Sequence, residues 1–280
     1  MTLSVVICSL DRERWLRRAL RGLRRQERPP EETIVVLGPC RDRSAEVARE
    51  AGATLLLCDE RNLAAARNAG ARAARGEIVA FLDDDAVPRR RWTLEIEGAF
   101  SDRGVVASGG PAVDRRGRRL PSLLAVTSLG FPRPLEAASG GTPYVTGWNM
   151  AFRRRALLEI GGFDENLPFH LEDADAFVRI RDRGELAFRE GAVVVHDPGS
   201  AEPHRRPEAM IRSASYFASR HARGALRLAL PLVPLLHAAS RLRHRPAGSG
   251  WAAHAARCAR GILLGYAAAR LPAARLPLGS

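Results

Sequence analysis

Ile78-Val79-Ala80-Phe81-Leu82-Asp83-Asp84-Asp85 is the stretch that decides the fold. An apolar run closed by polar residues reads as a buried strand. The three acids then stand at its carboxyl end, which is where ligands bind in open α/β sheets. Adjacent carboxylates repel one another unless a cation or polar ligand offsets them. A hard divalent ion holding phosphate oxygens accounts for the pattern; so does a solvated acidic turn. The surroundings decide between the two.

Upstream, strand and helix patterns alternate. Strands are expected at Leu3–Ser9, Thr33–Leu37, Thr54–Cys58 and Ile78–Leu82. Helices are expected at Arg14–Gln26, Ser44–Ala51 (with Ser44 as N-cap) and Leu63–Ala74. On the first helix Trp15, Leu16, Ala19, Leu20 and Leu23 share a face. A βαβαβαβ run of this kind builds an α/β fold with a mostly parallel central sheet flanked by helices. Downstream, a helix-like stretch begins at Pro88. Residues 101–143, rich in Gly, Pro and Arg, read as loops around one or two strands beside an acceptor site. Short helices follow at Arg153–Ile160 and Glu172–Arg183, and short strands at Leu186–Phe188 and Val193–Val195.

Charge divides the chain in two. All 44 basic residues are Arg. Residues 203–280 hold 13 Arg and a single acid, Glu208, whereas residues 1–202 hold 31 Arg against 30 acids. The expected organisation is therefore a near-neutral body, 1–204, and a basic, partly apolar helical extension, 205–280. The extension calls for an acidic partner, membrane phosphate or nucleic acid. Its apolar run Leu228–Leu236 is shorter than the ~20 residues of a membrane span and carries two prolines. With the Arg-edged stretch 251–271, it suits either a membrane surface or a flap packed on the body. No aromatic interleaving or nucleic-acid motif accompanies the Arg residues, so no nucleic-acid partner is expected. Cys8, Cys40, Cys58 and Cys258 lack metal spacing and are expected to be reduced and buried, as in the cytoplasm.

Several further positions suit either chemistry or a plain structural role. Ser9 and Arg12, at the end of the first strand, suit a nucleotide grip, or the segment holds a helix N-cap at Ser9 or Asp11. Arg67, on an Ala-rich helix, suits a pyrophosphate through its planar fork of donors or simply a surface. Trp148 and Asn149 suit a sugar and its hydroxyls, or a core Trp and a cap. Glu172 and Asp173 suit a general base or a dipole-stabilised first turn. His196, closing a strand, suits a metal ligand or a structural role.

In their order along residues 1–200, these pieces resemble the family-2 inverting glycosyltransferases of the GT-A fold. The residues carrying the resemblance are Ser4-Val5-Val6-Ile7-Cys8-Ser9, Ala66-Arg67-Asn68-Ala69-Gly70, Phe81-Leu82-Asp83-Asp84-Asp85, Gly147-Trp148-Asn149-Met150-Ala151-Phe152, Gly161-Gly162-Phe163-Asp164, Glu172-Asp173-Ala174-Asp175 and His196. The resemblance implies that Asp83 and Asp85 are the outer members of an Asp-x-Asp motif, with Asp84 between them. Asp83 would face ribose and metal, Asp85 would bind the metal (Mn²⁺ or Mg²⁺) and His196 would complete the site. Asp173 would be the catalytic base, with Glu172 the neighbouring candidate. Ser9, Arg12 and Arg67 would contact the nucleotide and diphosphate. The implied partners are a nucleotide-diphosphate sugar donor and a saccharide, lipid-linked or small-molecule acceptor, in glycan or cell-envelope synthesis at the inner face of the membrane. A catalytically silent nucleotide-sugar binder, or a nucleic-acid-binding protein using the Arg-rich tail, is the alternative. Two departures stand out. Leu37-Gly38-Pro39-Cys40 replaces the acids that usually read the base, and Cys8 stands where Pro is frequent.

Overall fold

Apolar alternation along the first strands sorts their side chains onto the two faces of one sheet. The structure is a computed structural model describing residues 1–135, 140–196, 207–243 and 251–271. The first half runs β1 (Leu3–Ser9), α1 (Glu13–Arg24), β2 (Glu32–Leu37), α2 (Ser44–Glu50), β3 (Thr54–Leu57), α3 (Leu63–Ala73) and β4 (Ile78–Asp83). It continues through β5 (Ala86–Pro88), α4 (Trp92–Ala99), β6 (Val105–Gly109), β7 (Ala112–Val113), β8 (Arg119–Leu120), β9 (Leu123–Val126), β10 (Pro132–Pro134) and β11 (Thr142–Val145). The remainder is β12 (Asn149–Arg153), α5 (Arg154–Glu159), α6 (Glu172–Ile180), β13 (Glu185–Phe188), β14 (Val194–His196), α7 (Pro207–His221), α8 (Val233–Arg243) and α9 (Trp251–Ala268).

Seven strands form the central sheet in the order β13-β6-β12-β4-β1-β2-β3. Pairing is parallel among β1, β2, β3 and β4 and between β6 and β13. Only β12 runs antiparallel, between β4 and β6. The expected parallel sheet is thus present, with one reversed strand near its middle. That strand escaped the sequence reading because Asn149–Phe152 is buried on both faces and shows no alternation. Val6, Val79 and Phe81 face one core layer with Phe152, Phe163 and Phe177. Val5, Ile7, Ile78 and Leu82 face the other with Leu16, Leu20, Trp92 and Phe100. This is the period of two expected of strands buried from both sides.

Three local expectations need correction. The helix expected from Pro88 begins at Trp92, because Ala86–Pro88 pairs with β14 first. Ser44 does not cap α2; the Asp42 carboxylate accepts the Ser44 N–H and leaves Ser44 inside the first turn. Residues 101–143, expected to hold one or two strands, contribute β6 to β10 and the start of β11, each too short to show a period.

The expected boundary between residues 204 and 205 lies outside the described residues. Beyond it, α7 buries Ala214, Tyr216 and Phe217 in the same core layer as Phe163 and Phe177. Tyr216 donates to Asp164 (2.7 Å), and His221 Nε2 lies 2.7 Å from Asp175. In turn α9 lies on α7 through Gly261 and Gly265, whose missing side chains leave room for Ile211 and Ser215. The four cysteines are free, as expected, but only Cys258 is fully buried.

Gly70 lets α3 sit directly on β1, since an added Cβ there would run into Val6 Cγ1. Gly70→Ala is expected to cost about 1–3 kcal/mol through overpacking, read from urea unfolding at unchanged m.

Candidate active site

The carboxyl ends of β1 and β4 lie side by side, with Cys8 opposite Asp83 in the ladder. This brings Ser9 and Arg12 to the aspartates. Ser9 Oγ donates to Asp84 (2.6 Å), and Arg12 bridges Asp84 (3.0 Å) and Asp85 (2.6 Å). The two residues expected to hold a nucleotide therefore hold the acidic turn itself. Burial pushes the Asp84 carboxyl up to about 7, against the opposing pull of Arg12 and Ser9. Asp83 is the most open of the three, its side chain a third exposed.

His196 reaches the site through strand register. In β14 it pairs with Ala86 of β5, one residue beyond Asp85. Its Nε2 is 3.1 Å from Asp85 Oδ1. Asp83, Asp85 and His196 each offer a ligand atom, all within 4.8 Å of one another. Two carboxylates and an imidazole form a donor set that suits Mn²⁺ or Mg²⁺. A second cluster, Asp11, Cys40 and Asp42, is equally close but differs in kind. Its carboxylates accept the backbone N–H groups of Arg41, Glu13 and Ser44, so it staples the loops after β1 and β2.

The second acidic group arrives on α6. Leu171, which precedes that helix, is held in the left-handed region (φ 67°) and is buried. This conformation is unfavourable for a branched residue and turns the first residues of α6 toward the aspartates. Arg67 lies between the two groups, its side chain 3% exposed. It donates to Glu172 (2.6 Å), Asp83 (3.3 Å) and the Gly147 carbonyl (3.2 Å). The guanidinium expected to face a diphosphate is instead a buried tie beneath the cleft. Burial drives the Glu172 carboxyl up to about 7; Asp173 adds to this and Arg67 counters it. Asp173 accepts N–H bonds from Gly147 (2.9 Å) and Ala174 (2.7 Å), and burial nonetheless lifts its pKa.

Trp148 and Asn149 part company. The Trp148 ring packs against His196, with centroids 4.8 Å apart. Asn149 is wholly buried: it accepts from Trp92 Nε1 (2.7 Å) and donates to the Ala192 carbonyl (2.7 Å). The expected hydroxyl-binding role does not fit that placement; Asn149 clamps α4 and the approach to β14 onto β12. Two contributors were missed in the sequence. Gly147 serves both Arg67 and Asp173 through its backbone, and a Cβ there would come within 2.6 Å of the Arg67 guanidinium. Leu171 offers no compositional signal at all. Cys8, beside Arg67, has its thiol pushed up to about 12 by burial and is inert.

Comparison with known proteins bears on family and fold. The family model described as glycosyl transferase family 2 matches residues 4–161. A pre-mycofactocin glycosyltransferase of Mycobacterium tuberculosis is 33% identical over 141 residues, covering 48% of this chain and 30% of the relative. A glucosyl-dolichyl phosphate glucuronosyltransferase of Haloferax volcanii is 26% identical over 182 residues, covering 59% of this chain and 57% of the relative. The chain thus spans under two thirds of either curated relative. Among solved structures, a mannosyltransferase from Pyrobaculum calidifontis, in complex with GDP-Man and Mn²⁺, superposes with a TM-score of 0.59 at 21% identity. That match covers 95% of this chain and 85% of the other. Glucosyl-3-phosphoglycerate synthase from Mycobacterium tuberculosis, in complex with Mg²⁺ and UDP, gives 0.59 at 17% identity, over 80% and 81%. These two likenesses establish a shared fold.

Arg67→Met is expected to leave Glu172 and Asp83 without their partner. Breaking a buried pair costs about 3–5 kcal/mol. The loss should be greatest above a pH of about 7, where Glu172 is ionised, and smaller below it, where the neutral acid needs no partner. Denaturant titrations on both sides of that pH check the sign.

Proposed function

The chain belongs to glycosyl transferase family 2, and on that footing we propose that it is a metal-dependent inverting glycosyltransferase, moving a sugar from a nucleotide-diphosphate donor to an acceptor hydroxyl. One observation carries the reading. The candidate metal ligands Asp83, Asp85 and His196 share a cleft with Glu172 and Asp173, and Arg67 ties the two groups together. A nucleoside diphosphate leaving group gathers negative charge, and an ionised carboxylate at a distance from it must take the acceptor's proton. This cleft supplies both ends.

Asp83, Asp85 and His196 are the residues that would hold the cation. When bound, such a cation acts as a Lewis acid on the diphosphate oxygens. The chain's own groups do the rest. Asp173 is the base: it is half-buried and held by two backbone N–H groups. Glu172 is committed to Arg67 and nearly inaccessible. The raised pKa of Asp173 makes it a stronger proton acceptor than an ordinary aspartate. Attack on the face opposite the departing diphosphate gives inversion. Arg12 and Ser9 keep Asp84 and Asp85 in place. The Trp148 ring, beside His196, is the surface for a sugar or base.

Donor chemistry follows the fold neighbours only to its class. Their complexes carry GDP-Man or UDP, and we assign this chain a nucleotide-diphosphate sugar. Base recognition here does not use Asp42, whose oxygens are taken by Glu13 and Ser44. The acceptor is a hydroxyl on a saccharide, a lipid-linked sugar or a small molecule, and the four free cysteines suit the cytoplasm.

A thermal-shift screen of nucleoside diphosphates with and without Mn²⁺ tests the reading. A stabilisation that needs both is expected, and none with any nucleotide counts against it. Asp85→Ala is expected to abolish the metal-dependent part of that shift. Asp173→Asn is expected to keep the shift and to slow transfer by about 10²–10⁴-fold, the usual contribution of a general base. Unchanged turnover in Asp173→Asn would remove Asp173 from the role.

A further inference from the structure

We propose that the outward face of residues 226–242 is a docking surface for an anionic lipid bilayer, on which this segment lies flat. The observation behind it is a helix apolar on both sides. The inner side of α8 buries Val233, Ala238 and His237. His237 stacks on Phe131 (ring centroids 3.9 Å apart) and its Nε2 lies 3.1 Å from the Leu129 carbonyl. The outer side should then be polar, as in an ordinary surface helix. Instead Leu232, Leu235, Leu236 and Leu242 are 40–53% exposed, and Leu228, just upstream, is 83% exposed. An isolated exposed leucine is ordinary, whereas a row of them marks an interaction surface.

Charge selects the occupant. Arg220, Arg223 and Arg227, at the upstream end of the row, are exposed, and between residues 207 and 271 the single acid is Glu208. A second copy of the chain would bring like charges together across the contact. An anionic bilayer meets both requirements, apolar burial of the leucines and headgroup phosphate for the guanidinium groups.

The packing selects the orientation. Gly224–Leu242 is long and apolar enough to cross a membrane by length and composition. Crossing would strip His237 and Val233 from the body and put Pro231 and Pro234 in the hydrocarbon. Lying flat keeps every inward contact and wets none of the leucines.

This placement bears on the acceptor. Leu129 and Phe131, beneath α8, belong to the turn joining β9 to β10. In the same small sheet β11 pairs with β9 and runs on to Gly147 at the cleft. If the transfer reading holds, the bilayer side is the acceptor side, and the acceptor class is a hydroxyl carried on a membrane lipid. The docking itself does not depend on transfer.

The test is flotation of the full chain with vesicles of phosphatidylcholine alone and of phosphatidylcholine mixed with phosphatidylglycerol. Flotation is expected with the anionic vesicles, and release by high salt or carbonate. Leu228→Glu/Leu235→Glu/Leu236→Glu and, separately, Arg223→Glu/Arg227→Glu should each weaken it by about tenfold or more. The exposed positions leave the fold intact, checked by unchanged circular dichroism and unchanged nucleotide-dependent thermal shift. Failure of that shift in the wild type would sink the transfer reading and leave docking standing. Docking is overturned by absence of flotation, by flotation that survives carbonate, by equal flotation of the variants, or by a leucine-dependent dimer that ignores vesicles.

Discussion

A buried guanidinium holds two sets of carboxylates in one cleft. Asp83, Asp84, Asp85, Glu172 and Asp173 converge on a space that holds Arg12 and Arg67 as fixed cations. Arg67 touches both sets. Charges this close and this shielded from water interact far more strongly than on a surface. Without Arg67 the first turn of α6 and the end of β4 would repel. With it, the acids still outnumber these two cations, and burial, to which neighbouring carboxylates add, raises two members, Asp84 and Glu172, to about 7. On the proposed reading, Asp83, Asp85 and His196 would hold a divalent cation that offsets part of this charge.

The backbone shows the same bias. Among the described residues, two that are not glycine adopt a positive φ, Asp11 at 54° and Leu171 at 67°. One follows β1 beside Arg12, and the other introduces α6. Left-handed backbone at such residues costs on the order of 1–3 kcal/mol and persists where its surroundings impose it. Both turns aim charged side chains at the cleft, so the cost falls where geometry matters most.

What the sequence disclosed, and what it withheld, follows from the range of each signal. The four leading strands and three helices are local patterns of period two or 3.6, and their limits were legible to within one or two residues. The cleft's membership was legible too, because Asp83, Asp85, Glu172, Asp173 and His196 sit in recognisable motifs. The direction in which each side chain points was not. Arg67 on an Ala-rich helix reads as a phosphate hand, but only the crossing of α3 under Gly147 shows that it faces carboxylates. Asn149 reads as a hydroxyl ligand until β12 pairs with β4 and turns it to Trp92. Both turn on contacts between residues far apart in the chain, Arg67 with Glu172 across 105 positions and Asn149 with Trp92 across 57, beyond the reach of any local pattern.

The basic extension illustrates the same limit from the other direction. Composition separates it from the body at once, yet α7 is part of the body's core. His221 and Arg179 hold the Asp175 carboxylate low despite its burial, which otherwise raises it. Asp175 is two residues from Asp173 on α6, so α7 steadies the very helix that carries the proposed base. The same α7 supports α9 through Gly261 and Gly265, and α8 rests on Phe131. The surface proposed to dock on a bilayer through α8 is therefore connected, contact by contact, to the element that would take the acceptor's proton. If it docks as proposed, an extension joined in that way would orient the site as well as tether it, because a flexible tether would fix neither the height nor the tilt of the site above the lipid.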